Sequence, residues 1–316
     1  MSPGLHLRVA EGIVARALWP AGARVAVAVS GGLDSVVLLD LLVRTRGVHR
    51  GALHVATFDH GTRPGSSADA DFVAGLAEAL ELPLRRGREA LGEGASEDAC
   101  RRARHAFLDG LDVDVVALAH HADDQAETSL LGLLRGGGTR ALAGMAWRRG
   151  RLVRPLLGVR RAELEAWAAH AGLVWREDPT NASPRYLRNR VRGELLPLLE
   201  ALRPGATEAL ARGAGHAAAD ADLLEALAAA QEDYADESWA RAWVASAPEA
   251  LVRRALAARL GEVDSARLDA MLAAARRGRG TVEVSPRVSV VVDGARVRIV
   301  GAPALPTEGA PGSQSG

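Results

Sequence analysis

The stretch VAVAVSGGLDSVVLLDLL, residues 25–42, decides the fold of this chain. Its first five residues are apolar and small or β-branched, which is typical of a buried strand. Residues 33–42 follow the apolar spacing of an amphipathic helix. Between the two lies Ser30-Gly31-Gly32, a turn with almost no side chain. A turn of this kind presents backbone N–H groups to an anion at the start of a helix. The stretch therefore predicts a strand, an anion-binding turn and a helix.

Strand-like and helix-like segments alternate through the first half of the chain. Apolar runs typical of strands occur at residues 24–29, 51–58, 82–87, 114–120 and 151–157, and helical patterns follow at 34–46, 67–80, 96–111, 122–135 and 160–172. This alternation predicts an α/β fold, with a Rossmann-like parallel sheet covered by helices on both faces. Ligands bind at the carboxyl ends of such strands. Those ends carry Ser30-Gly31-Gly32, Asp59-His60 and His120-His121.

The pattern changes after Pro204-Gly205. Alanine-rich helical segments follow, and then short strand-like runs at 280–300 in which Asp293-Gly294 signals a hairpin. The sequence predicts an α/β domain over 1–205, a small helical domain with a terminal β-hairpin over 206–300, and a flexible tail rich in Pro, Gly and Ser over 301–316.

Composition narrows the range of chemistries. Formal net charge is zero, and each of the 39 basic residues is an arginine. No lysine can therefore bind phosphate or form a Schiff base. One cysteine, Cys100, excludes disulfide frameworks and cysteine-rich metal sites within this chain. The N-terminal residues lack the features of a signal peptide, and no apolar run reaches the roughly 20 residues of a membrane span. We expect a soluble, cytoplasmic protein with no membrane partner.

The turn itself excludes two common nucleotide-binding motifs. It has neither the lysine of the Walker type nor the Gly-x-Gly-x-x-Gly of the dinucleotide type. Ser-Gly-Gly-Leu-Asp-Ser after a buried strand instead resembles the PP-loop of the ATP pyrophosphatases, which cleave ATP between its α- and β-phosphates. The resemblance implies ATP and Mg²⁺ as cofactors, with Asp34 holding Mg²⁺ or orienting the phosphates. The residues that it implies for ATP binding are Ser30, Gly31, Gly32, Leu33, Asp34 and Ser35.

A second cluster lies in LAHHADDQAETSLLGLLRGGGTRALAGM, residues 118–145. His120, Asp124 and Glu127 fall at i, i+4 and i+7, so they share one face if the helix begins near His120. An imidazole and carboxylates at a strand end are candidates for binding an amine and moving its proton. The alternative is a solvated acidic first turn, favoured by the helix dipole.

Arginines form two further candidate sites. Arg101 and Arg104 lie at i, i+3 on one predicted helix and could clamp a phosphate, although a solvated basic face has the same pattern. The segment WREDPTNASPRYLRNRVRGELLPLL, residues 175–199, concentrates arginines in a way that suits a ribose-phosphate backbone.

Together, the order and spacing of these motifs over residues 22–200 closely resemble the tRNA(Ile)-lysidine synthetase family. The family adenylates C2 of the wobble cytidine of a tRNA(Ile) with a CAU anticodon, and free L-lysine then displaces AMP. By resemblance, the catalytic residues are Asp34, Arg104, His120, Asp124 and Glu127. The residues implied for the substrates are His60, Arg63, Arg101, Arg104, Asp123, Arg185, Arg188, Asn189, Arg190 and Arg192.

Two positions depart from the family pattern. Residues 60–63 read His-Gly-Thr-Arg where the family often has His-Gly-Leu-Arg, and His105 stands where a tyrosine often follows the paired arginines. Sulfur transfer usually needs paired cysteines, which makes Cys100 alone poorly suited to it. Two alternatives stay open: a tRNA 2-thiolation enzyme that uses an external sulfur carrier, and a non-catalytic nucleotide-binding module. The oligomeric state is also open, with a homodimer as one option.

Overall fold

Two units make up the chain, residues 1–218 and residues 219–316. The computed structural model describes residues 4–62, 65–92, 94–176, 187–231, 238–260, 265–286 and 288–301. Each unit is presented on its own below.

A six-stranded sheet forms the centre of the described part of the N-terminal unit. Its strands are β1 (Arg24–Ala28), β2 (Ala52–Asp59), β3 (Leu84–Arg88), β4 (Val115–Ala117), β5 (Arg148–Arg149) and β6 (Leu152–Val153). Their spatial order is β3-β2-β1-β4-β6-β5. All neighbouring pairs are parallel except β5 and β6, which form an antiparallel edge.

This unit also contains helices, and the last of them continues past residue 218 into the C-terminal unit. They are α1 (Leu5–Ala15), α2 (Leu33–Arg44), α3 (Arg46–His49), α4 (Ser66–Ala79), α5 (Glu97–Asp109), α6 (Ala122–Leu134), α7 (Thr139–Leu142), α8 (Arg161–Ala171), α9 (Leu187–Arg190), α10 (Leu196–Leu202) and α11 (Ala206–Ala229). A π-helical turn over Val191–Leu195 joins α9 to α10.

The side chains of β1 point alternately to the two faces of the sheet, which explains why helices lie on both faces. Val25 and Val27 are fully buried in a cluster that also contains Leu38 of α2 and Leu164 of α8. Ala26 points to the opposite face and packs in a separate buried cluster. Because successive side chains of a strand face opposite sides, a strand without polar residues must be covered twice.

The strand order places the site. The chain moves outward from β1 through β2 to β3, and then returns to the other side of β1 to form β4. The strand order therefore reverses between β1 and β4. Crevices at the carboxyl ends of strands beside such a reversal are where open α/β sheets bind ligands.

The C-terminal unit has its own antiparallel sheet. Its strands are β7 (Ser238–Ala240), β8 (Gly280–Ser285), β9 (Val288–Val292) and β10 (Arg296–Val300), in the order β7-β10-β9-β8. Its further helices are α12 (Arg241–Ser246), α13 (Glu249–Leu260) and α14 (Ser265–Arg277). Trp239 and Met271, both 0% exposed, lie in the core between sheet and helices. Asp293 closes the β9–β10 turn by accepting the backbone N–H groups of Ala295 and Arg296.

These observations confirm the predicted fold class. Each strand and helix predicted in the first half is present, and the predicted hairpin is part of the second sheet. The edge strands β5 and β7 were not predicted, because two or three residues carry no periodicity that a sequence could reveal. The boundary after residue 205 and the tail over 301–316 stay predictions; of that tail, the structure describes residue 301 alone. Among the described helices, none has the length and apolarity needed to cross a bilayer.

A buried histidine ties α3 to α2. His49 is 3% exposed, its Nε2 contacts the carbonyl oxygen of Leu42 at 2.8 Å, and its Nδ1 accepts the N–H of Gly51 at 3.0 Å. Nε2 therefore carries the proton of a neutral ring. Burial lowers the pKa of His49 below its ordinary value of 6.5, although the hydrogen bond to Leu42 opposes this shift.

This arrangement predicts a pH-dependent loss of stability. Below about pH 6.5 the unfolded chain takes up a proton at His49 that the folded protein does not, so stability falls as the pH drops. We expect His49→Gln to lower the free energy of unfolding by about 1–3 kcal/mol at pH 7.5. It should also reduce the further loss between pH 7.5 and pH 5.5, measured by urea unfolding. An equal loss in the variant and the wild type would contradict this role.

Candidate active site

The turn after β1 is held by its own serines. Ser35 Oγ accepts the backbone N–H of Ser30 at 3.1 Å and donates to the carbonyl oxygen of Gly32 at 2.9 Å. Gly31 adopts φ +90°, a conformation that side chains other than hydrogen rarely allow. The carbonyl oxygen of Gly31 accepts the backbone N–H of Arg176 at 2.9 Å, which fixes the outer side of the turn. The predicted anion-binding residues therefore form one constrained loop.

Helix α2 begins without a side-chain cap. Gly32 is its N-cap and offers no side-chain acceptor to the first-turn N–H groups. The neighbouring helices are closed: Asp124 accepts the N–H of His121 at the start of α6, and Asp123 accepts the N–H of Arg161 at the start of α8. The first-turn N–H groups and the dipole of α2 are thus available to an anion.

A cavity of about 590 Å³ opens beside this turn. It extends along the carboxyl ends of β1, β2 and β4, as the strand order predicts. The polar side chains that line it are Ser30, Asp34, Ser35, Thr57, Asp59, His60, Thr62, Ser66, Asp69, Arg104, His120, Asp124, Arg161, Arg176 and Arg192. Residues from all three predicted strand ends therefore meet in one space.

Asp34 offers one free carboxylate oxygen. Its Oδ2 lies 3.6 Å from both His121 Nε2 and Arg161 Nη1. Its Oδ1 is buried and has no hydrogen-bond partner among the described residues. An unpartnered carboxylate oxygen beside an anion-binding turn fits Mg²⁺, which is commonly bound by one or two carboxylates together with substrate phosphates.

His120 and His60 line the same cavity. The Nδ1 atoms of both are buried and lack a hydrogen-bond partner within the described chain. Burial lowers the pKa of His120 to about 4, with Asp124 opposing the shift and Arg154 adding to it. Burial and Arg104 likewise lower the pKa of His60. Both rings are therefore neutral near pH 7 and able to accept a proton or a hydrogen bond.

The structure corrects the prediction that His120 shares a helix face with Asp124 and Glu127. Helix α6 begins at Ala122 with His121 as its N-cap, so His120 lies on the strand end rather than on the helix. Asp124 and Glu127 do share a face, since the same two arginines contact both of them. The helix begins at Ala122 rather than near His120 because His121 and Asp124 form a capping box. The side chain of His121 accepts the backbone N–H of Asp124, and the side chain of Asp124 accepts the backbone N–H of His121.

Arg188 and Arg192, whose contacts with tRNA stay predictions, pair with the carboxylates of α6. Arg192 donates to Asp124 Oδ1 at 2.8 Å and to Glu127 Oε2 at 3.1 Å. Arg188 donates to Glu127 Oε2 at 2.9 Å and to Asp124 Oδ1 at 3.3 Å. Glu127 is 0% exposed, whereas Asp124 lines the cavity. Burial raises the pKa of Asp124, but His121, His120 and Arg188 outweigh it, so its pKa stays below the usual value and it remains a carboxylate.

Of the remaining predicted residues, some line the cavity and others do not. Arg104 of α5 lines the cavity, whereas Arg101, on the same helix, is exposed and does not. Asp123 forms a two-point contact with Arg160 at 3.1 and 3.2 Å, and the exposed Arg190 pairs with Glu194. Asn189 is half-buried on α9. Arg63 and Arg185 lie outside the described residues. Roles toward tRNA at these six positions remain predictions.

Sequence reasoning gave no role in the site to His121, Arg161 or Arg176. His121 is 1% exposed and lies among Asp34, Asp123 and Asp124. Burial lowers the pKa of His121, but these carboxylates outweigh burial and raise it above the usual value. Arg161 and Arg176 line the cavity. The sequence offered a signal for His121, which follows His120, and for Arg176, which lies in the segment 175–199, but no motif marked Arg161.

Comparisons with known proteins agree with this geometry. The PP-loop domain family matches residues 9–199. A tRNA(Ile)-lysidine synthase of Nocardia farcinica is 43% identical over 258 residues, which cover 78% of this chain and 79% of that protein. The chain belongs to the tRNA(Ile)-lysidine synthase family. Enzymes of that name from Pseudomonas syringae pv. tomato and Geobacter sulfurreducens are 42% and 46% identical over 236 and 220 residues.

These relatives differ in how much of their length corresponds to the chain. The matches cover 72% and 65% of this chain, but 53% and 46% of the Pseudomonas and Geobacter enzymes. The chain thus spans about half the length of these two members of the tRNA(Ile)-lysidine synthase family. Among solved structures, the U34-tRNA thiolase NcsA from Methanococcus maripaludis superposes with a TM-score of 0.56 at 19% identity, covering 67% of this chain and 77% of that one. This likeness supports the fold.

The turn geometry predicts different effects for two glycines with positive φ. Gly31→Ala and Gly22→Ala each place a side chain at φ near +80 to +90°, and we expect each to cost about 1–2 kcal/mol of stability. Gly22 lies before β1, at the opposite end of the strand from the cavity. Only Gly31→Ala should therefore weaken ATP binding measured by isothermal titration calorimetry. Equal ATP affinities in the two variants would contradict an anion-binding role for the turn.

Proposed function

We propose that the chain is a ligase that joins L-lysine to C2 of the wobble cytidine in a tRNA(Ile) with a CAU anticodon, at the expense of ATP. The observation that carries this proposal is one cavity with two different sites in it. An uncapped helix start provides for a triphosphate, and a carboxylate cluster on α6 provides for an amine. Membership in the tRNA(Ile)-lysidine synthase family supports the same combination.

The first step requires that pyrophosphate leave. The C2 oxygen of cytidine attacks the α-phosphorus of ATP, and the bond between that phosphorus and the α–β bridging oxygen breaks. Backbone N–H groups of the turn and the first turn of α2 would stabilise the charge that develops on the departing phosphates. Asp34 would hold Mg²⁺ through its free Oδ1. When bound, the metal supplies charge neutralisation and orients the phosphates.

The second step requires a neutral amine. The lysine ε-nitrogen attacks C2, the bond from C2 to the adenylate oxygen breaks, AMP leaves, and the nitrogen loses a proton. A lysine amine has an ordinary pKa of about 10.4, so the site must both attract the cation and remove its proton. Asp124 is suited to attract it, because it lines the cavity as a carboxylate. His120 is the proposed acceptor of the proton, because it lines the cavity as a neutral ring beside Asp124.

Glu127 has a different part in this proposal. It is fully buried, and both arginines of the cluster donate to it. Those contacts favour a carboxylate that positions Arg188 and Arg192 over one that binds the amine. The two arginines in turn keep the second α6 carboxylate, Asp124, ionised beside the cavity.

Contacts with tRNA are proposed for the arginines at the rim and for the C-terminal unit. Arg104 lines the cavity on the side of His60, where a base or phosphate of the anticodon would enter. Sequence-specific recognition of RNA uses unstacked loop nucleotides, and arginine planes can stack on such bases. Residues 206–300 are proposed to bind the tRNA outside the anticodon.

Labelled-lysine incorporation tests this function. Wild-type protein with ATP, Mg²⁺ and [¹⁴C]lysine should label a tRNA(Ile) transcript with a CAU anticodon, and should leave a tRNA(Met) transcript unlabelled. Nucleosides from the product should contain lysidine. A product containing 2-thiocytidine, or no modified base with every substrate present, would contradict the proposal.

A pair of variants locates the amine site. The side chains of Asp124 and Asp40 are 11% and 15% exposed, and each pairs with an arginine, but Asp40 does not line the cavity. We expect Asp124→Asn to raise the KM for lysine at least about tenfold, as loss of one charge-assisted hydrogen bond implies. Asp40→Asn should leave this KM unchanged. Equal KM values in both variants would remove Asp124 from the site.

A further inference from the structure

We infer that Arg161, the first residue of α8, binds the β- and γ-phosphates of ATP and holds the pyrophosphate as it leaves. This inference rests on the proposed function, because it assigns a residue to the departing end of the same triphosphate. It supplies the side-chain cation that the turn over residues 30–35 lacks.

The backbone of Arg161 is fixed beside the turn. Its N–H donates to Asp123 Oδ2 at 2.9 Å, which anchors the start of α8 to the start of α6. Strands β1 and β6 both run parallel to β4, so α2 and α8, which follow them, begin at the same edge of the sheet. Arg161 consequently lines the cavity together with Ser30, Gly32 and Ser35.

One hydrogen bond orients the guanidinium of Arg161, and its terminal nitrogens form none with the described residues. Its Nε donates to Glu165 Oε1, one helical turn further, at 3.1 Å. Its Nη1 lies 3.6 Å from Asp34 Oδ2, too far for a hydrogen bond. Within the described chain, Nε is the only atom of this side chain that forms a hydrogen bond. The terminal N–H donors therefore retain their capacity for phosphate oxygens, which a planar guanidinium can bind in pairs.

The other arginines of the cavity face different groups. Arg192 donates to Asp124 and Glu127, and Arg176 pairs with Asp69 of α4. Arg104 lies on α5, on the side of His60. Among the described arginines, Arg161 is the one within 4 Å of Asp34, the proposed Mg²⁺ ligand. That position places positive charge where the phosphates and the metal carboxylate would meet.

Direct binding of two partial ligands tests the inference without requiring tRNA. Inorganic pyrophosphate with Mg²⁺ represents the departing end of ATP, and AMP represents the end that stays. We expect Arg161→Gln to weaken pyrophosphate binding by about ten- to a hundredfold in isothermal titration calorimetry, as the loss of charge-assisted hydrogen bonds implies. AMP affinity should change less than about twofold, since no contact to the adenylate end is removed. Arg161→Lys should restore part of the loss, because it keeps the charge but not the paired geometry.

The matched control is Arg24→Gln. Arg24 has a side chain 44% exposed against 42% for Arg161, and it pairs with carboxylates at the opposite end of β1. The Arg24→Gln variant should bind pyrophosphate as the wild type does.

The Arg161→Gln variant keeps the backbone hydrogen bond from residue 161 to Asp123. It should therefore retain the circular dichroism spectrum and melting temperature of the wild type.

The outcomes separate this inference from the proposed function. Unchanged pyrophosphate affinity in Arg161→Gln, or an equal loss for pyrophosphate and AMP, overturns the inference even if the wild type incorporates lysine. A selective loss of pyrophosphate binding supports the inference. Should the wild type then incorporate no lysine, the proposed function fails while Arg161 keeps its place in a pyrophosphate site.

Discussion

The uncapped start of α2 is the constraint on which the rest of this site depends. Several helices begin at the carboxyl-end edge of the sheet, and two of them, α6 and α8, are closed by aspartates of α6. Gly32 gives α2 no such acceptor, so its first N–H groups keep their hydrogen-bonding capacity. Orphan donors at a helix start cost free energy unless water or a ligand satisfies them. In α2 these unsatisfied donors lie at the position where a triphosphate would bind.

The carboxylates of α6 are balanced by arginines from other parts of the chain. Asp123, Asp124 and Glu127 lie within one and a half helical turns, a density of like charge that would repel without compensation. Arg160 compensates the first, and Arg188 and Arg192 compensate the other two. Because breaking a buried pair leaves an uncompensated charge, these arginines are as necessary to the site as the carboxylates are. The arginine-rich segment over residues 185–192, which the sequence suggests as a nucleic-acid-binding surface, thus supplies the counter-ions of these carboxylates.

The sequence predicted the frame of the molecule well, for a physical reason. A strand buried on both faces has no polar residues, as VAVAV shows, and a loop that binds phosphates through its backbone must have small residues, as Ser-Gly-Gly shows. These local demands leave marks in a single segment. The alternation of strands and helices then placed three strand ends at one edge, and the cavity lies there.

The sequence could not predict contacts that depend on where a helix begins or on which of two neighbours faces inward. His121 became the cap of α6, and this moved His120 off the helix face on which its spacing had placed it. Arg160 and Arg161 are adjacent and chemically identical, yet one pairs with Asp123 and the other lines the cavity. Tertiary packing buries Glu127 against two arginines, a contact that its spacing could not reveal, and its catalytic role stays a prediction. Spacing along the chain contains no information about these choices.

The phosphate products of the reaction test the central claim most directly. If the backbone-lined turn holds the triphosphate with its two outer phosphates departing together, purified protein supplied with ATP, Mg²⁺, tRNA(Ile) and lysine must form AMP and pyrophosphate in equal amounts. Asp34→Asn should lose this activity, because it removes the carboxylate charge beside the turn. Formation of ADP and orthophosphate, with no AMP under any of these conditions, would contradict the account.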